Sequence, residues 1–322
     1  MIFMKKEILK NSKAFILCHT GVSSKENQAK VNRRIPLAKK VVLDPFRKLL
    51  MDENSSPSKS VEAVEMAINI MEDSGLVNAG CGAGNQKDGV KRLDASIMRG
   101  DNLEYGAVAS LRDFQNPISV AKIIMDTKDG HNMYAHDIAH NIAQKHNLKP
   151  IRGLVSKCGG KGPHVGENDT VGSVVRNKRG IICAGTSTGG LANSKPGRIG
   201  DSCIIGAGNY SNESCGVSCT GKGENIVKLS ISKRITDLVH YHKFTPKKAV
   251  QQVLNEYKKK FPGKKDVLGV ICVDKEGRFA VDFYGAYMVW AGIVEMNDQY
   301  KLIWGTYNDE MHIENIPESI IN

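Results

Sequence analysis

The chain has 322 residues, 41% hydrophobic and 25% charged, a balance typical of a soluble globular protein and far from that of a disordered one. Its 45 Lys+Arg against 34 Asp+Glu give a formal charge of +11, which permits contact with nucleic acid or acidic surfaces but does not bear on the fold. No apolar run approaches the roughly 20 residues of a membrane helix, and Met1–Glu7 carries charge without an apolar stretch, so neither a membrane partner nor a secretory leader is expected.

Ala14–Leu17 is an apolar run that reads as a buried strand ending at His19-Thr20-Gly21. Lys25–Glu53 is mixed and charged, and is expected as helix in two pieces, because Pro36 and Pro45 lack the N–H that a helix interior uses. A loop follows at Asn54–Ser58. Val61, Val64, Ile68 and Met71 then recur at helical spacing and predict an amphipathic helix over Ser60–Asp73. Beyond the Gly-rich stretch Asn78–Gly84, strands are expected over Arg92–Met98 and Tyr105–Leu111. Asn116-Pro117 opens another helix, with proline at its first position, and a further helix is expected over Asn132–Gln144. Lys145–Asp169 is crowded with glycine and proline and reads as a flexible linker, unusually long for a compact domain.

Regular structure restarts with strands over Thr170–Val175 and Gly180–Ala184, joined by the turn Asn177–Gly180. A second Gly-rich zone, Gly185–Gly223, precedes helices over Glu224–His242 and Thr245–Lys260, the latter with a threonine cap and a following proline. Three strands follow: Val267–Val273, Arg278–Tyr284 and Met288–Val294. Glu295–Asn322 holds six acids and one lysine, so the positive excess lies upstream. Elements come in blocks rather than in strict β-α-β alternation, which favours an α+β fold.

Several patterns resemble sites without meeting their requirements. Gly216–Gly223 nearly matches a phosphate-binding loop, but Gly223 stands where a Ser or Thr would hold Mg²⁺. Gly80-Cys81-Gly82-Ala83-Gly84 lacks the glycine spacing of a dinucleotide loop. His136 and His140 are four apart on a helix, yet no glutamate occupies 137, and they read as a solvated face rather than metal ligands. Lys30, Arg33, Arg34, Lys39 and Lys40 also read as a solvated face, since the aromatics that would stack unpaired bases are absent; no nucleic-acid partner is expected. The eight cysteines, at 18, 81, 158, 183, 203, 215, 219 and 272, form no CxxC pair. Their scatter argues against a zinc ribbon or a disulfide framework and favours a reducing compartment, the cytoplasm, with the nucleus as the alternative.

Asn168-Asp169-Thr170-Val171-Gly172-Ser173 carries more chemistry. A linker ends there and a strand begins with threonine. Threonine is a weak nucleophile until a neighbouring base takes its proton, and a chain cut before Thr170 would supply that base as the new α-amino group. With a pKa of roughly 8, that amine can accept the hydroxyl proton near neutral pH.

Around this segment stand Thr186-Ser187-Thr188-Gly189-Gly190, Gly197-Arg198-Ile199-Gly200-Asp201-Ser202 and Ser218-Cys219-Thr220-Gly221-Lys222-Gly223-Glu224, with Asn78–Gly82 and Asp94–Met98 upstream. On these motifs the sequence, from about Ala14 to Trp290, resembles the threonine-type asparaginase family of N-terminal-nucleophile hydrolases. That family includes plant-type L-asparaginases, isoaspartyl peptidases, aspartylglucosaminidase and threonine aspartase (taspase). The resemblance implies one asparaginase-like domain over 1–322, built as a four-layer αββα sandwich. It implies self-cleavage between Asp169 and Thr170 into an α chain (1–169, with 145–169 as linker) and a β chain (170–322). Thr170 would be the nucleophile, oriented by Thr188, with Asn78 beside it. Thr220 and Gly221 would stabilise the oxyanion, Gly223 would contact substrate through its backbone, and Thr186 would be packing. Arg198 and Asp201 would clamp the carboxylate and ammonium of a free amino acid or dipeptide.

The implied activity is hydrolysis of L-asparagine and β-aspartyl peptides through an acyl-enzyme, with no metal or organic cofactor in the reaction. A structural sodium ion near Met71–Cys81 and a homodimer of two-chain units are also implied. Asp169 and Phe15–Val22 look more like threonine aspartase, which leaves an endopeptidase cutting protein substrates after Asp as the alternative. Thr20 and Val22 would add Cβ atoms near the nucleophile, and Arg99 replaces an aspartate; on these residues a non-catalytic, partner-binding member is the third reading.

Overall fold

The computed structural model describes residues 14–50, 56–148, 169–297 and 299–316. Most of the expected 145–169 linker, and residues 54 and 55 of the loop expected at 54–58, therefore lie outside the described residues, while Pro57 and Ser58 of that loop already belong to a helix.

The described strands are β1 (Phe15–Ser23), β2 (Leu93–Arg99), β3 (Tyr105–Leu111), β4 (Met133–Ala135), β5 (Val171–Arg176), β6 (Ile182–Thr188), β7 (Asn209–Ser211), β8 (Cys215–Gly221), β9 (Leu268–Asp274), β10 (Phe279–Tyr284), β11 (Tyr287–Met296), β12 (Gln299–Gly305) and β13 (His312–Asn315). They form two sheets, ordered β13-β12-β11-β1-β5-β6-β2-β3-β4 and β10-β9-β8-β7. The pairings are antiparallel except β3 with β4. The helices are α1 (Gln28–Pro45), α2 (Pro57–Asp73), α3 (Pro117–Thr127), α4 (His136–Lys145), α5 (Gly223–Leu229), α6 (Ile231–His240) and α7 (Pro246–Lys260). The elements are mixed helices and sheets of an α+β protein.

Period-two alternation divides the core. On β1, Ile16 and Cys18 join a cluster with Val31, Val41 and Ile68 of α1 and α2, whereas Phe15 and Leu17 pack with Ile271 and Val273 of the smaller sheet. Cys215, Val217 and Cys219 of β8 turn the other way, toward Ile235 of α6 and Val253 and Leu254 of α7.

Four expectations are corrected. The chain from Lys25 is not broken at Pro36: α1 runs through it, capped by the Asn27 side chain, which accepts the Lys30 N–H at 3.1 Å. Its buried face of Val31, Leu37, Ala38, Val41 and Val42 holds the helix against the large sheet and outweighs one lost backbone bond. The helix expected from Asn132 begins as β4, bonded to β3, and becomes α4 only at His136, which takes a positive φ of 52°. The helix expected over Glu224–His242 is two helices, α5 and α6, divided at Ser230 in the left-handed region. The Gly-rich zone before it hides β7 and β8, and the acidic tail hides β12 and β13. The near-match to a phosphate loop lies largely on β8, whose backbone is paired on both sides and presents no cradle of amides.

Cys18, Cys183, Cys203, Cys215, Cys219 and Cys272 are buried thiols, while Cys81 is disulfide-bonded. His140 packs edge-on against Phe114, with ring centroids 5.0 Å apart. Arg99, at the end of β2, pairs with Asp101 and Glu104.

A polar seam crosses between the sheets. His19 Nε2 lies 2.9 Å from Ser218 Oγ, which lies 3.0 Å from Thr186 Oγ1, and the Thr186 hydroxyl also donates to the Gly208 carbonyl at 3.2 Å. Thr186 thus bonds as well as packs. Burial pushes the His19 imidazole down to about 3, against a weaker upward pull from the Thr170 backbone. The seam fits because residue 172 has no side chain: a Cβ there would stand 1.9 Å from Ser218 Oγ and 2.6 Å from His19 Nε2. Gly172→Ala is therefore expected to destabilise the protein by about 1–3 kcal/mol through overpacking, read as a lower denaturation midpoint at unchanged m-value.

Candidate active site

Strand register creates the site. In the β5–β6 hairpin Val171 pairs with Ser187 and Gly172 with Thr186, so the residue before β5 falls opposite the last residue of β6. Those residues are Thr170 and Thr188. The Thr170 hydroxyl donates to Thr188 Oγ1 at 3.2 Å, and Thr188 Oγ1 also accepts the Gly190 N–H at 3.1 Å. Thr170 is only 4% exposed, and its donated proton leaves the oxygen lone pairs available toward the adjoining cleft.

The residue before it is gripped from two directions. Gly21, at φ +101°, passes so close that a Cβ there would lie 2.6 Å from Asp169 Cα. Arg34 Nη2 meets Asp169 Oδ2 at 2.5 Å, with the side chains 1% and 0% exposed. Arg34, expected on a solvated basic face, is thus among the most buried large side chains of the protein. The neighbours that distinguish the Phe15–Val22 segment do not crowd this spot. Thr20 turns its hydroxyl to the Val289 carbonyl at 3.2 Å, and Val22 joins the apolar cluster between the sheets.

The cleft beside Thr170 is lined by Thr188, Gly190, Leu191, Arg198, Gly200, Asp201, Gly221 and Gly223. The missing side chain of Gly223 opens the space between the two charged heads: a Cβ would stand 2.8 Å from Asp201 Oδ1 and 3.1 Å from Arg198 Nη2. Asp201 is fully buried, its Oδ2 has no hydrogen-bond partner among the described residues, and burial pushes its carboxyl up to about 7.

Two acids that sequence reasoning did not single out set the arginine. Glu224 receives the Arg198 Nε–H at 3.0 Å and lies 2.9 Å from Nη2. Asp94 accepts the Gly200 N–H at 2.9 Å and the Ser110 N–H at 2.8 Å; burial raises its carboxyl to about 6, against a downward pull from Arg198. Glu224 stood in the quoted motif and Asp94 in the upstream one, but only the fold brings both to the clamp.

The remaining predicted residues lie just behind the cleft or on its floor. Gly221, at φ +143°, lines it. Thr220 is buried beneath, its Oγ1 accepting the Val22 N–H at 3.3 Å. Asn78 braces the turn after β6, donating to the Gly190 carbonyl at 2.7 Å and accepting the Gly84 N–H at 3.0 Å. In the Met71–Cys81 segment, the carbonyl of Glu72 lies 2.7 Å from where a Gly80 Cβ would stand, as does that of Gln115 from just ahead of α3, oxygen donors of the kind a hard cation takes. Burial pushes the Glu72 carboxyl up to about 8.

Comparison with known proteins places the chain in a family. The family model described as "Asparaginase" matches residues 12–156 and 155–303. The plant-type L-asparaginase of Pyrococcus abyssi is 33% identical over 307 residues, covering 88% of this chain and 97% of its own. The isoaspartyl peptidase/L-asparaginase of Bos taurus is 35% identical over 248 residues (72% and 79%). The isoaspartyl peptidase of Salmonella typhimurium is 33% identical over 255 residues (72% and 80%). A family match across most of the sequence and relatives of 33–35% identity show that the chain belongs to the asparaginase family.

Proposed function

We propose that the protein is a self-cleaving threonine hydrolase that releases ammonia from L-asparagine and aspartate from β-aspartyl dipeptides. The observation that carries this reading is the Thr170 hydroxyl, poised on Thr188 in a cleft that also holds Arg198 and Asp201. The two sheets and their helices would form αββα layers. The chain would be cut between Asp169 and Thr170, and the freed amine of Thr170 would then serve as its own base. Arg198 presents a planar fork to the substrate α-carboxylate, and Asp201 takes the α-ammonium. The side-chain carbonyl is thereby directed at Thr170 Oγ1. Attack gives a tetrahedral oxyanion, which the Gly221 region would stabilise with the Thr220 hydroxyl if that group turns from Val22 to the cleft. Ammonia or an amino acid leaves, and water hydrolyses the acyl-threonine. A structural sodium ion, if present, would sit on backbone carbonyls near Gly80 and take no part in these steps. Assembly as a homodimer of two-chain units in the cytoplasm accompanies this reading.

The buried Asp201 is the observation that favours small substrates over internal aspartyl sites in proteins. A residue inside a chain carries no ammonium, and it would leave that carboxylate desolvated and unpaired. The deciding assay sets L-asparagine and a β-aspartyl dipeptide beside a peptide with an internal aspartate. Hydrolysis of the internal-aspartate peptide alone would overturn the proposal.

A pH dependence follows. Asp201 must be ionised to hold the ammonium, and a carboxyl at about 7 is half charged at that pH and mostly charged only above it. KM for L-asparagine is expected to fall roughly eightfold from pH 6 to pH 7.5 as the ionised fraction rises, and then to level off. Asp201→Asn should give a high KM that no longer responds to pH over this range.

A further inference from the structure

Arg34 breaks the pattern of its own helix. The inward face of α1 runs Val31, Arg34, Leu37, Ala38, Val41, and a guanidinium stands where an apolar side chain belongs. A charge taken wholly out of water is costly unless it is paired, and a local rule broken at such cost points to function. Its partner is the Asp169 carboxylate, reached at 2.5 Å across 135 positions of sequence, and Arg34 Nε also donates to the Leu76 carbonyl at 3.3 Å. The other Asp169 oxygen accepts no hydrogen bond among the described residues. Neither Arg34 nor Asp169 lines the cleft that holds Arg198 and Asp201. Two separate carboxylate receptors therefore flank one threonine, and the chain's own residue 169 occupies the one that is not the substrate clamp.

We infer that Arg34 is a positioning residue for self-cleavage: by holding the Asp169 carboxylate, it fixes the Asp169 carbonyl carbon within reach of the Thr170 hydroxyl and makes the cut selective for aspartate at 169. This rests on the self-cleavage reading above. Gly21 passes close to the backbone of the same residue, where a Cβ would also lie 3.0 Å from the Asp169 carbonyl carbon. With the backbone blocked there and the side chain tethered by Arg34, residue 169 has little freedom to swing the scissile carbonyl away. The step balances without a co-reactant other than water. Thr170 Oγ bonds to the Asp169 carbonyl carbon, the C–N bond breaks, and the hydroxyl proton passes to the departing amine. Water then adds to the ester carbon and the C–Oγ bond breaks, leaving an α-carboxylate on Asp169 and restoring the Thr170 hydroxyl. Arg34 touches no reacting atom in this scheme; it orients the residue that carries one.

The test follows the intact mass of freshly purified full-length chain with time. Arg34→Met and Asp169→Asn are expected to slow the Asp169–Thr170 cut by roughly 10–100-fold, the scale of misplaced reacting groups. Arg34→Lys, which keeps a cation for the single nitrogen–oxygen contact to Asp169 but gives up the bond to the Leu76 carbonyl, should recover part of the rate. Because the single variants also leave a buried charge unpaired, the decisive chain is the double variant Arg34→Met/Asp169→Leu. Replacing a buried ion pair by apolar groups is often neutral for stability, so its melting temperature should return to near the parental value while its cut stays slow. A parental cutting rate in Arg34→Met, or in the double variant once its melting temperature has recovered, overturns the inference. A parental chain that stays whole while hydrolysing β-aspartyl dipeptide overturns the self-cleavage reading itself and this inference with it; parental cutting that Thr170→Ala abolishes upholds that reading independently of Arg34.

Discussion

Thr170→Ala is expected to leave a folded, uncut chain of 35.2 kDa with turnover lowered by about 10⁴-fold or more, the loss typical of removing an essential nucleophile. The folded state should survive. The deleted hydroxyl makes one 3.2 Å bond to another hydroxyl, worth about 1 kcal/mol or less, and the shortened side chain still fits the start of β5. Loss of both processing and activity in a chain with near-parental melting temperature would place both events on one oxygen. Thr170→Ser should keep both at reduced rate, since it retains the hydroxyl and loses only the methyl that fixes its rotamer. Intact-mass measurement and ammonia release from L-asparagine check the two arms. Full turnover in the alanine variant would remove the basis of the proposed mechanism.

Arg198→Met should lower kcat/KM for L-asparagine by about 10²–10³, mostly through KM. Hydrogen bonds to charged groups contribute about 1.5–3 kcal/mol each, and the guanidinium fork can make two to the substrate carboxylate. Stability should change little, because the abandoned Glu224 is 45% exposed and can turn to solvent. Glu224→Gln should give a milder, severalfold rise in KM, since it loosens the arginine without removing it. An unchanged KM in Arg198→Met would mean that the carboxylate is read elsewhere.

Legibility in the sequence followed the physics of each element. Strands with strong alternation or continuous apolar runs, such as β3 and β9, were visible because burial on two faces demands them. The place of Thr170 was visible because threonine after a glycine-rich linker and before a strand is a chemical pattern as well as a structural one, and the structure sets it at the start of β5 on the wall of a cleft. β8 was not, since its Cys215–Gly221 run is small and polar and becomes a central strand only through its neighbours β7 and β9. Ser230 broke a helix that periodicity alone would continue, because its left-handed backbone answers to contacts of α6 with the loop before β7. Arg34 was the most instructive difference. Charge density assigned it to water, although it shares the helical register of Val31, Leu37, Ala38 and Val41, as Arg33 does not. Its burial goes with Asp169, which lies 135 positions further along the chain.

The order of the large sheet has a consequence for the life of the molecule. β11 to β13 and β5-β6 come from beyond Thr170, whereas β1 and β2 to β4 come from before it, so strands of the two origins alternate at three seams. Were the chain cut ahead of β5, as proposed, the halves would stay woven together by hydrogen bonds at β11/β1, β1/β5 and β6/β2. Denaturation would then turn folding from a one-body into a two-body problem governed by mass action. Recovery of the mature enzyme after denaturation should weaken on dilution, whereas that of the uncut Thr170→Ala chain should be indifferent to it. Cutting would thus act as a one-way commitment, leaving an assembly that persists because it has not come apart rather than because it readily re-forms.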